Sequence, residues 1–274
     1  MPPSTKHSPS AGTGDQSQYE SNRGYQDNFA VVIPARYESS RFPGKPLANI
    51  AGVSLIERVW RRCTMAVPVE KIIIATDDQR IKDHCESFGA DVEMTDYGCL
   101  TGTDRVQQTV QQRKLDWAVN VQGDEPMVRP EDIQSVVRAF LSANGQRVIN
   151  AMAPITDSEE WLSLAVPKLV FDQEDRLLYM SRAPIPGNKA STLIAAWKQV
   201  CIYAFSAEHL TRFVATDGKT PFEAIEDIEI LRFVEQGIPV QMVRVESGTV
   251  AVDFPEDVAR AEAVIAKLRG EMSN

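Results

Sequence analysis

Three cations fall close together in one short segment that follows an apolar run. Arg36, Arg41 and Lys45 come just after residues 29–33, Phe-Ala-Val-Val-Ile, which are typical of a buried strand. Ligands of open parallel sheets bind at the carboxyl ends of the strands, so these cations are placed to hold phosphate oxygens. Three further residues could offer backbone amides to the same phosphates: Ser39, Ser40 and Gly44. We predict a phosphate-binding loop, with a merely solvated basic loop as the alternative.

Two aspartates could supply carboxylates to the same crevice. Asp124 follows the apolar run 117–121, and the preceding Gly123 would let the backbone approach a ligand closely. Mg²⁺ favours carboxylate and phosphate oxygens, so the natural use of Asp124 is to hold Mg²⁺ against a triphosphate. Asp253 also follows a strand-like run and precedes a predicted helix. The alternatives are a turn carboxylate at Asp124 and a helix-capping region at Asp253.

The composition argues against several other kinds of site. The four cysteines lack the C-x-x-C spacing of zinc and redox motifs, and the three histidines are scattered. Neither the dinucleotide-binding nor the P-loop glycine pattern occurs. A formal net charge of -9 disfavours a nucleic-acid partner, and the apolar runs are too short for a membrane helix. We expect a cytoplasmic protein without a nucleic-acid or membrane partner.

The elements that must position these residues alternate between strands and helices. This β-α-β order predicts an α/β fold with a mostly parallel sheet covered on both faces. One domain is expected over residues 28–270, after a polar, disordered tail at residues 1–27. The predicted strands are 29–33, 71–75, 91–94, 117–121, 148–153, 167–171 and 198–205. The predicted helices are 53–66, 78–88, 103–113, 130–141, 223–236 and 255–269.

Two predicted helices carry further polar candidates. Helix 223–236 would present Glu226 and Glu229 one turn apart, towards a pocket or on a solvated face. Its buried side would be formed by Ile225, Ile228 and Leu231. Asp104 and Arg105 could form a surface pair at a helix start.

Several motifs in consistent order over residues 29–268 resemble those of the CMP-sugar synthetases, and in particular the 3-deoxy-manno-octulosonate (Kdo) cytidylyltransferases. The motifs are Ile33-Pro-Ala-Arg36, Arg41-Phe-Pro-Gly-Lys45-Pro-Leu47, Ala75-Thr-Asp-Asp78, Gly102-Thr-Asp-Arg105, Asn120-Val-Gln-Gly-Asp-Glu-Pro126, Ser181-Arg-Ala183 and Val252-Asp-Phe-Pro-Glu-Asp257.

The resemblance implies a single Rossmann-like nucleotidyltransferase domain of the glycosyltransferase A type. Such an enzyme transfers CMP from CTP to the anomeric hydroxyl of a 3-deoxy-ulosonic acid such as Kdo, releases pyrophosphate and requires Mg²⁺. A cytoplasmic homodimer that serves lipopolysaccharide biosynthesis is also implied.

The same resemblance assigns roles to individual residues. The catalytic residues would be Arg36, Lys45 and Asp124, and the metal ligands Asp124 and Asp253. CTP would be bound by Pro34, Ala35, Arg36, Arg41, Lys45, Thr76, Asp77, Gly102, Thr103, Arg105 and Gln122. The sugar would be bound by Leu100, Arg182, Gln199, Tyr203, Glu226, Glu229 and Ile230, with Arg182 holding its carboxylate.

Three of the sugar positions depart from the Kdo enzyme pattern. Leu100 and Ile230 stand where the family commonly has glutamine, and Gln199 stands where it has histidine. Because lost hydrogen bonds to hydroxyls alter discrimination, we predict a changed acceptor preference. The alternatives are CMP transfer to an amino-Kdo analogue, a sialic-type acid or a phosphonate, and a non-catalytic CTP-binding module.

Overall fold

The computed structural model describes residues 28–39, 41–246 and 251–271. The predicted disordered tail, residues 1–27, and Ser40 of the predicted phosphate loop lie outside the described residues. None of the helices in the described part of the chain has the length and apolar character needed to cross a membrane.

Nine strands of the described chain form one sheet, and two short strands form a separate hairpin. The sheet contains β1 (Phe29–Ala35), β4 (Ile72–Thr76), β5 (Asp91–Met94), β6 (Trp117–Val121), β7 (Val148–Ile155), β8 (Lys168–Phe171), β9 (Leu177–Ser181), β10 (Ala196–Ser206) and β11 (Val240–Arg244). The hairpin consists of β2 (Asn49–Ile50) and β3 (Val53–Ser54).

The main path of the sheet has the strand order β11-β7-β10-β6-β1-β4-β5. β1 is parallel to β4 and β6, β4 is parallel to β5, and β7 is parallel to β11. β10 runs antiparallel to β6 and β7, and β8 and β9 extend the sheet beside β10 in antiparallel pairs. All strands of the path except β10 therefore point the same way, which confirms the predicted mixed, mostly parallel sheet.

The helices of the described chain connect these strands and cover the sheet. They are α1 (Leu55–Thr64), α2 (Gln79–Ser87), α3 (Gly102–Arg113), α4 (Pro130–Ser142), α5 (Ser158–Leu162), α6 (Ala207–Val214), α7 (Pro221–Glu226), α8 (Leu231–Glu235) and α9 (Asp257–Glu271). The first turn of α3 is fixed by a capping box, in which Thr101 and Asp104 each accept a hydrogen bond from the other's backbone N–H.

Side chains that alternate along the strands enter two apolar cores, one on each face of the sheet. On β1, Val31 and Ile33 belong to the core that contains residues of α1 and α4. Ala30 and Val32 belong to the other core, which contains residues of α3 and α6. Because β1 is covered on both faces, its sequence is a continuous apolar run rather than an alternating one.

The single predicted helix over residues 223–236 is wrong. Asp227 has φ +52°, a left-handed conformation that ends α7, and α8 begins only at Leu231. As a consequence Ile225 is 76% exposed, although it was predicted to be buried, whereas Ile228 and Leu231 do lie in the core.

Several elements of the described chain have weak sequence signals and were not predicted. They are the hairpin of β2 and β3, strands β9 and β11, and helices α5 and α6. Most lie after residue 148, where short strands pair antiparallel and the β-α-β alternation no longer holds.

Candidate active site

A cavity of about 300 Å³ lies where β1 and β6 end. Its lining includes six basic and four acidic side chains, although the whole chain carries a formal charge of -9, so the cavity is suited to an anionic ligand. The predicted site residues that line it are Pro34, Ala35, Arg36, Arg41, Lys45, Leu100, Gly102, Arg105, Gln122, Asp124, Arg182, Gln199, Tyr203, Glu229 and Asp253. Those that do not line it are Thr76, Asp77, Thr103, Glu226 and Ile230.

The loop after β1 folds around the ring of Tyr37. Gly44 adopts φ +69°, and a side chain there would place Cβ 3.1 Å from that ring. The Gly44 N–H donates to the Tyr37 carbonyl at 2.9 Å, and the Lys45 N–H donates to the Phe42 carbonyl at 3.1 Å. The prediction that the Gly44 amide binds phosphate is therefore wrong, because the loop itself uses this donor.

Arg36 is the unpaired cation of this loop. It is exposed and makes no hydrogen bond or ion pair with another described residue. Arg41 lies 3.7 Å from the carboxylate of Asp253 and above the ring of Phe254. The two arginines thus differ, since Arg36 keeps its whole guanidinium available to a ligand.

Lys45 joins the two predicted metal-binding aspartates. Its Nζ lies 3.6 Å from Asp124 Oδ2 and 3.3 Å from Asp253 Oδ1. The Val252 N–H donates to the Asp124 carbonyl at 2.9 Å, which fastens the segment before α9 to the loop after β6. Two residues far apart in the sequence thereby reach one ammonium group.

The carboxylate of Asp124 is only partly satisfied. Its Oδ1 is buried without a hydrogen-bond partner, while the whole side chain remains 21% exposed. Burial raises the pKa of Asp124, the nearby Lys45 lowers it, and the charge of Asp253 raises it further. An orphaned carboxylate oxygen beside a second carboxylate fits a hard divalent cation such as Mg²⁺. No group of three or more protein ligands occurs among the described residues, so phosphate and water oxygens would complete the shell.

The alternative role of Asp253 as a helix cap is not supported by the geometry. The carboxylate of Asp257, not Asp253, accepts the N–H groups of Asp253 and Phe254, at 2.8 and 2.9 Å. Asp253 is therefore no helix cap. Gly123 lines the cavity, and it also allows close packing, because a Cβ there would lie 3.2 Å from the Pro34 carbonyl oxygen.

The motif residues around α3 form a buried network behind the cavity. Arg105 is buried and pairs with Asp77 at 2.8 Å, and it also donates to Thr95. The carboxylate of Asp104 pairs with the buried Arg232 at 3.3 Å, so Asp104 and Arg105 are not a surface pair. Thr76 is also buried, and its hydroxyl accepts the N–H of Asp78.

Arg182 is held by the protein itself. Its guanidinium donates to four backbone carbonyls, those of Leu164, Ala165, Glu226 and Asp227. We predicted that Arg182 binds a sugar carboxylate, but these bonds leave few donors for a ligand. Arg182 therefore connects the segment that contains Leu164 and Ala165 to the end of α7 at the cavity wall.

The two glutamates predicted on one helix face have different surroundings. Glu226 accepts hydrogen bonds from the Ser181 hydroxyl at 2.7 Å and the Arg182 N–H at 2.8 Å, away from the cavity. Glu229 lines the cavity and accepts from the Gly102 N–H and from the N–H and hydroxyl of Thr103. Burial raises the pKa of Glu229, while the bonds from Thr103 lower it. Only Glu229 therefore faces a ligand.

The two apolar residues that depart from the Kdo enzyme pattern, Leu100 and Ile230, also differ in their surroundings. Leu100 is 54% exposed and lines the cavity. Ile230 is 1% exposed and lies in the core with Leu231 and Phe233, so its predicted contact with the sugar is wrong.

The cavity also has polar residues that we did not predict. Lys219 and Asp227 pair at 2.6 Å on its wall. Behind it, the buried Asn150 bonds to Gln199, which lines the cavity. Asn150 is the only amide in the predicted strand 148–153, and this was the available sequence signal.

Comparisons with known proteins agree with this architecture. A family model described as Cytidylyltransferase matches residues 30–245. A solved CMP:2-keto-3-deoxy-manno-octonic acid synthetase complexed with CTP superposes with a TM-score of 0.81 and 31% identity, covering 88% of this chain and 99% of that one.

Two curated relatives carry different acceptors in their names. The 3-deoxy-manno-octulosonate cytidylyltransferase of Myxococcus xanthus is 42% identical over 86% of this chain and 95% of its own length. The 8-amino-3,8-dideoxy-manno-octulosonate cytidylyltransferase of Shewanella piezotolerans is 38% identical over 87% and 99%. The chain therefore belongs to the cytidylyltransferase family and is a nucleotidyltransferase enzyme.

Proposed function

We propose that this enzyme transfers CMP from CTP to the anomeric hydroxyl of a 3-deoxy-ulosonic acid such as Kdo, with release of pyrophosphate. The observation that carries the proposal is the cluster of Lys45, Asp124 and Asp253 near Arg36, a cation that no other described residue pairs with, at the carboxyl end of β1. This arrangement suits a triphosphate and its metal ion. Relatives named for the same reaction support the choice of nucleotide and sugar.

In the proposed reaction the anomeric oxygen forms a bond to the α-phosphorus of CTP. The bond from that phosphorus to the oxygen leading to the β-phosphate breaks, and the hydroxyl proton passes to solvent. Arg36 and Lys45 neutralise phosphate oxygens, so that their contribution is electrostatic and positional. No histidine is among the described residues that line the cavity, and the proposed reaction needs none because it forms no covalent enzyme intermediate.

We propose Mg²⁺ as the metal, held by Asp124 and Asp253. When bound, the ion would add positive charge against the phosphates and help to align them. The nucleotide would be contacted by Pro34, Ala35, Gly102 and Gln122. Residues Thr76, Asp77 and Thr103 do not line the cavity and would support its wall from behind.

Pyrophosphate release with CTP and a panel of acidic sugars tests this function. The panel contains Kdo, its 8-amino-8-deoxy analogue, a sialic acid and a phosphonate, each with and without EDTA followed by Mg²⁺. Release with an ulosonic acid that is lost with EDTA and restored by Mg²⁺ is expected. CTP binding without release from any sugar would instead support a non-catalytic binding module.

The acceptor could also be the amino-Kdo analogue. The observation that favours this second candidate is the 38% identity to the relative named for that sugar, close to the 42% of the relative named for Kdo. Relative kcat/KM values for the two sugars decide between them.

We also propose a cytoplasmic homodimer. The dimer is supported by several large apolar side chains that are exposed around β9 and α7, namely Leu164, Leu178, Phe222 and Ile225. Arg182 brings two of them together, since it bonds to the carbonyls of Leu164 and of Glu226, next to Ile225. Light scattering should give twice the mass of one chain. The double variant Leu164→Glu with Ile225→Glu should have the mass of a single chain. The control Met65→Glu, at the exposed residue that follows α1, should remain a dimer.

A further inference from the structure

One face of β10 forms part of the cavity wall. Gln199, Cys201 and Tyr203 alternate along the strand and all line the cavity. The pairing of β10 with β7 shifts at this point, because Val200 pairs with Ala151 whereas Tyr203 pairs with Asn150. The bulge leaves backbone carbonyls of β10 without their regular partners on β7.

The side chain of Asn150 fills this gap. It is fully buried, and its Nδ2 donates to the Val200 carbonyl at 2.9 Å and to the Ile202 carbonyl at 3.1 Å. Both amide hydrogens are thus used by groups that can only accept. The orientation of the amide follows from chemistry, since a flipped amide would face two carbonyls with an oxygen.

The fixed orientation of Asn150 determines that of Gln199. With Nδ2 committed, Asn150 Oδ1 faces Gln199 and can only accept, so Gln199 must present its Nε2 there, at 3.1 Å. Gln199 Oε1 then has no hydrogen-bond partner among the described residues. A half-buried amide oxygen on the cavity wall is left as a hydrogen-bond acceptor.

Other groups near this part of β10 are also acceptors. The carboxylate of Glu229 lines the same cavity, and its charge acts on Tyr203 and Cys201, although burial is the main reason that their pKa values are raised. The nearby cation Arg182 has its donors on four carbonyls. Gln199 Oε1 and the Glu229 carboxylate are therefore two acceptors on this part of the cavity wall, beside the Tyr203 hydroxyl.

We propose that Asn150 is a positioning residue that orients Gln199 so that its side-chain oxygen accepts a hydrogen bond from the sugar. The pair would thereby select sugars that present a hydroxyl or an ammonium group to Gln199. The inference rests on the proposed function and names a specificity device within it. An amide oxygen accepts from both donors, but a bond from an ammonium is charge-assisted and stronger.

A double-mutant cycle on the full-length enzyme tests the pair. Gln199→Met keeps the side-chain length but removes the acceptor, and Asn150→Ala removes the orienting amide. The KM for Kdo should rise roughly 3- to 10-fold in each variant, and the KM for the 8-amino analogue roughly 10- to 100-fold if its ammonium is the donor. The KM for CTP should stay within about 2-fold, and the double variant should add little to either single variant.

The outcomes separate the possible failures. Equal losses for both sugars identify a shared hydroxyl as the donor, and a larger loss for the amino sugar identifies the ammonium; both support the proposal. If the effects of the two substitutions on the sugar KM are additive, or if Asn150→Ala raises the KM for CTP, Asn150 stabilises only the bulge in β10 and does not position Gln199. If Asn150→Ala does not fold, an unchanged sugar KM in Gln199→Met still overturns the proposal. Wild type that releases no pyrophosphate with any sugar would instead refute the proposed function.

Discussion

The cavity can be divided into a proposed nucleotide half, which contains Arg36, Lys45 and Asp124, and a proposed acceptor half, which contains Arg182, Gln199 and Glu229. The two halves differ in whether they contain charged groups that lack a protein partner. In the nucleotide half, Arg36 pairs with no other described residue, and Asp124 keeps a buried oxygen without a hydrogen-bond partner there. In the acceptor half, Arg182 bonds to four carbonyls and Glu229 accepts three hydrogen bonds. Charged groups without a protein partner can bind a charged ligand, whereas charged groups that bond to the protein stabilise the cavity wall. Substitutions in the two halves should therefore have different kinds of effect.

The largest effect on turnover is expected for Asp124→Asn. The amide keeps the size of the side chain but supplies no charge to a hard cation, so kcat should fall roughly 100- to 1000-fold. The free energy of unfolding should change by less than about 1 kcal/mol, because the variant removes a buried charge whose pKa burial already raises. Steady-state kinetics across a Mg²⁺ titration and urea unfolding measure both quantities. Asp91→Asn, in a surface ion pair with Arg113, is the control; an unaltered Mg²⁺ dependence in Asp124→Asn would place the metal elsewhere.

A similarly large kinetic effect is expected for Lys45→Ala. Loss of the cation that faces both aspartates should lower kcat roughly 100-fold, with a modest loss of stability. The matched control is Lys82→Ala, which removes a surface pair with Glu86 and should leave turnover unchanged. Stopped-flow pyrophosphate release gives the comparison, and wild-type rates in Lys45→Ala would remove this residue from the nucleotide half.

In the acceptor half, Arg182→Lys should act mainly on stability. Lysine cannot reach four carbonyls in the fixed geometry of a guanidinium, so the free energy of unfolding should fall by about 2–4 kcal/mol. Urea denaturation checks this value, with Arg176→Lys in an exposed ion pair as the control. Unchanged stability with a sugar KM raised by orders of magnitude would mean that Arg182 binds the carboxylate directly, and the contrast between the halves would fail.

The smallest effect is expected for Leu100→Gln. Because Leu100 is half exposed on the cavity wall, stability should change by less than about 0.5 kcal/mol, while kcat/KM for Kdo relative to its amino analogue shifts roughly 2- to 10-fold. Ile230→Gln provides the contrast, since a buried amide there should cost about 2–4 kcal/mol of stability. Competition between the two sugars measures the ratio. An unmoved ratio would show that Leu100 does not contact the acceptor.

The meeting of Arg36, Lys45 and Asp124 at one cavity could be predicted from sequence because these residues follow strands. Arg36, Lys45 and Asp124 occupy loops at the ends of β1 and β6, and parallel neighbouring strands bring such loops together. The sheet was predictable for the same reason, as continuous apolar runs mark strands covered on both faces.

In the acceptor half, Gln199, Tyr203 and Glu229 were predicted and line the cavity, but several other roles could not be predicted because they depend on tertiary contacts. Nothing local in the sequence shows that Asp227 ends α7, that Ile230 turns into the core, or that Arg182 is occupied by carbonyls. Asn150 was missed because its function lies in a bulge on the neighbouring strand. Such contacts depend on tertiary structure, because the same type of residue can either bind a ligand or bond to the protein itself.

The bond between the Val252 N–H and the Asp124 carbonyl has a consequence for synthesis of the protein on the ribosome. Asp253 is placed by this bond, so the pair of carboxylates beside Lys45 does not exist until the segment before α9 has left the exit tunnel. A nascent chain that has already built β1, β4 and β6 still lacks half of its anionic cluster. The second carboxylate beside Lys45 is thus supplied by a segment that is synthesised after every strand of the sheet.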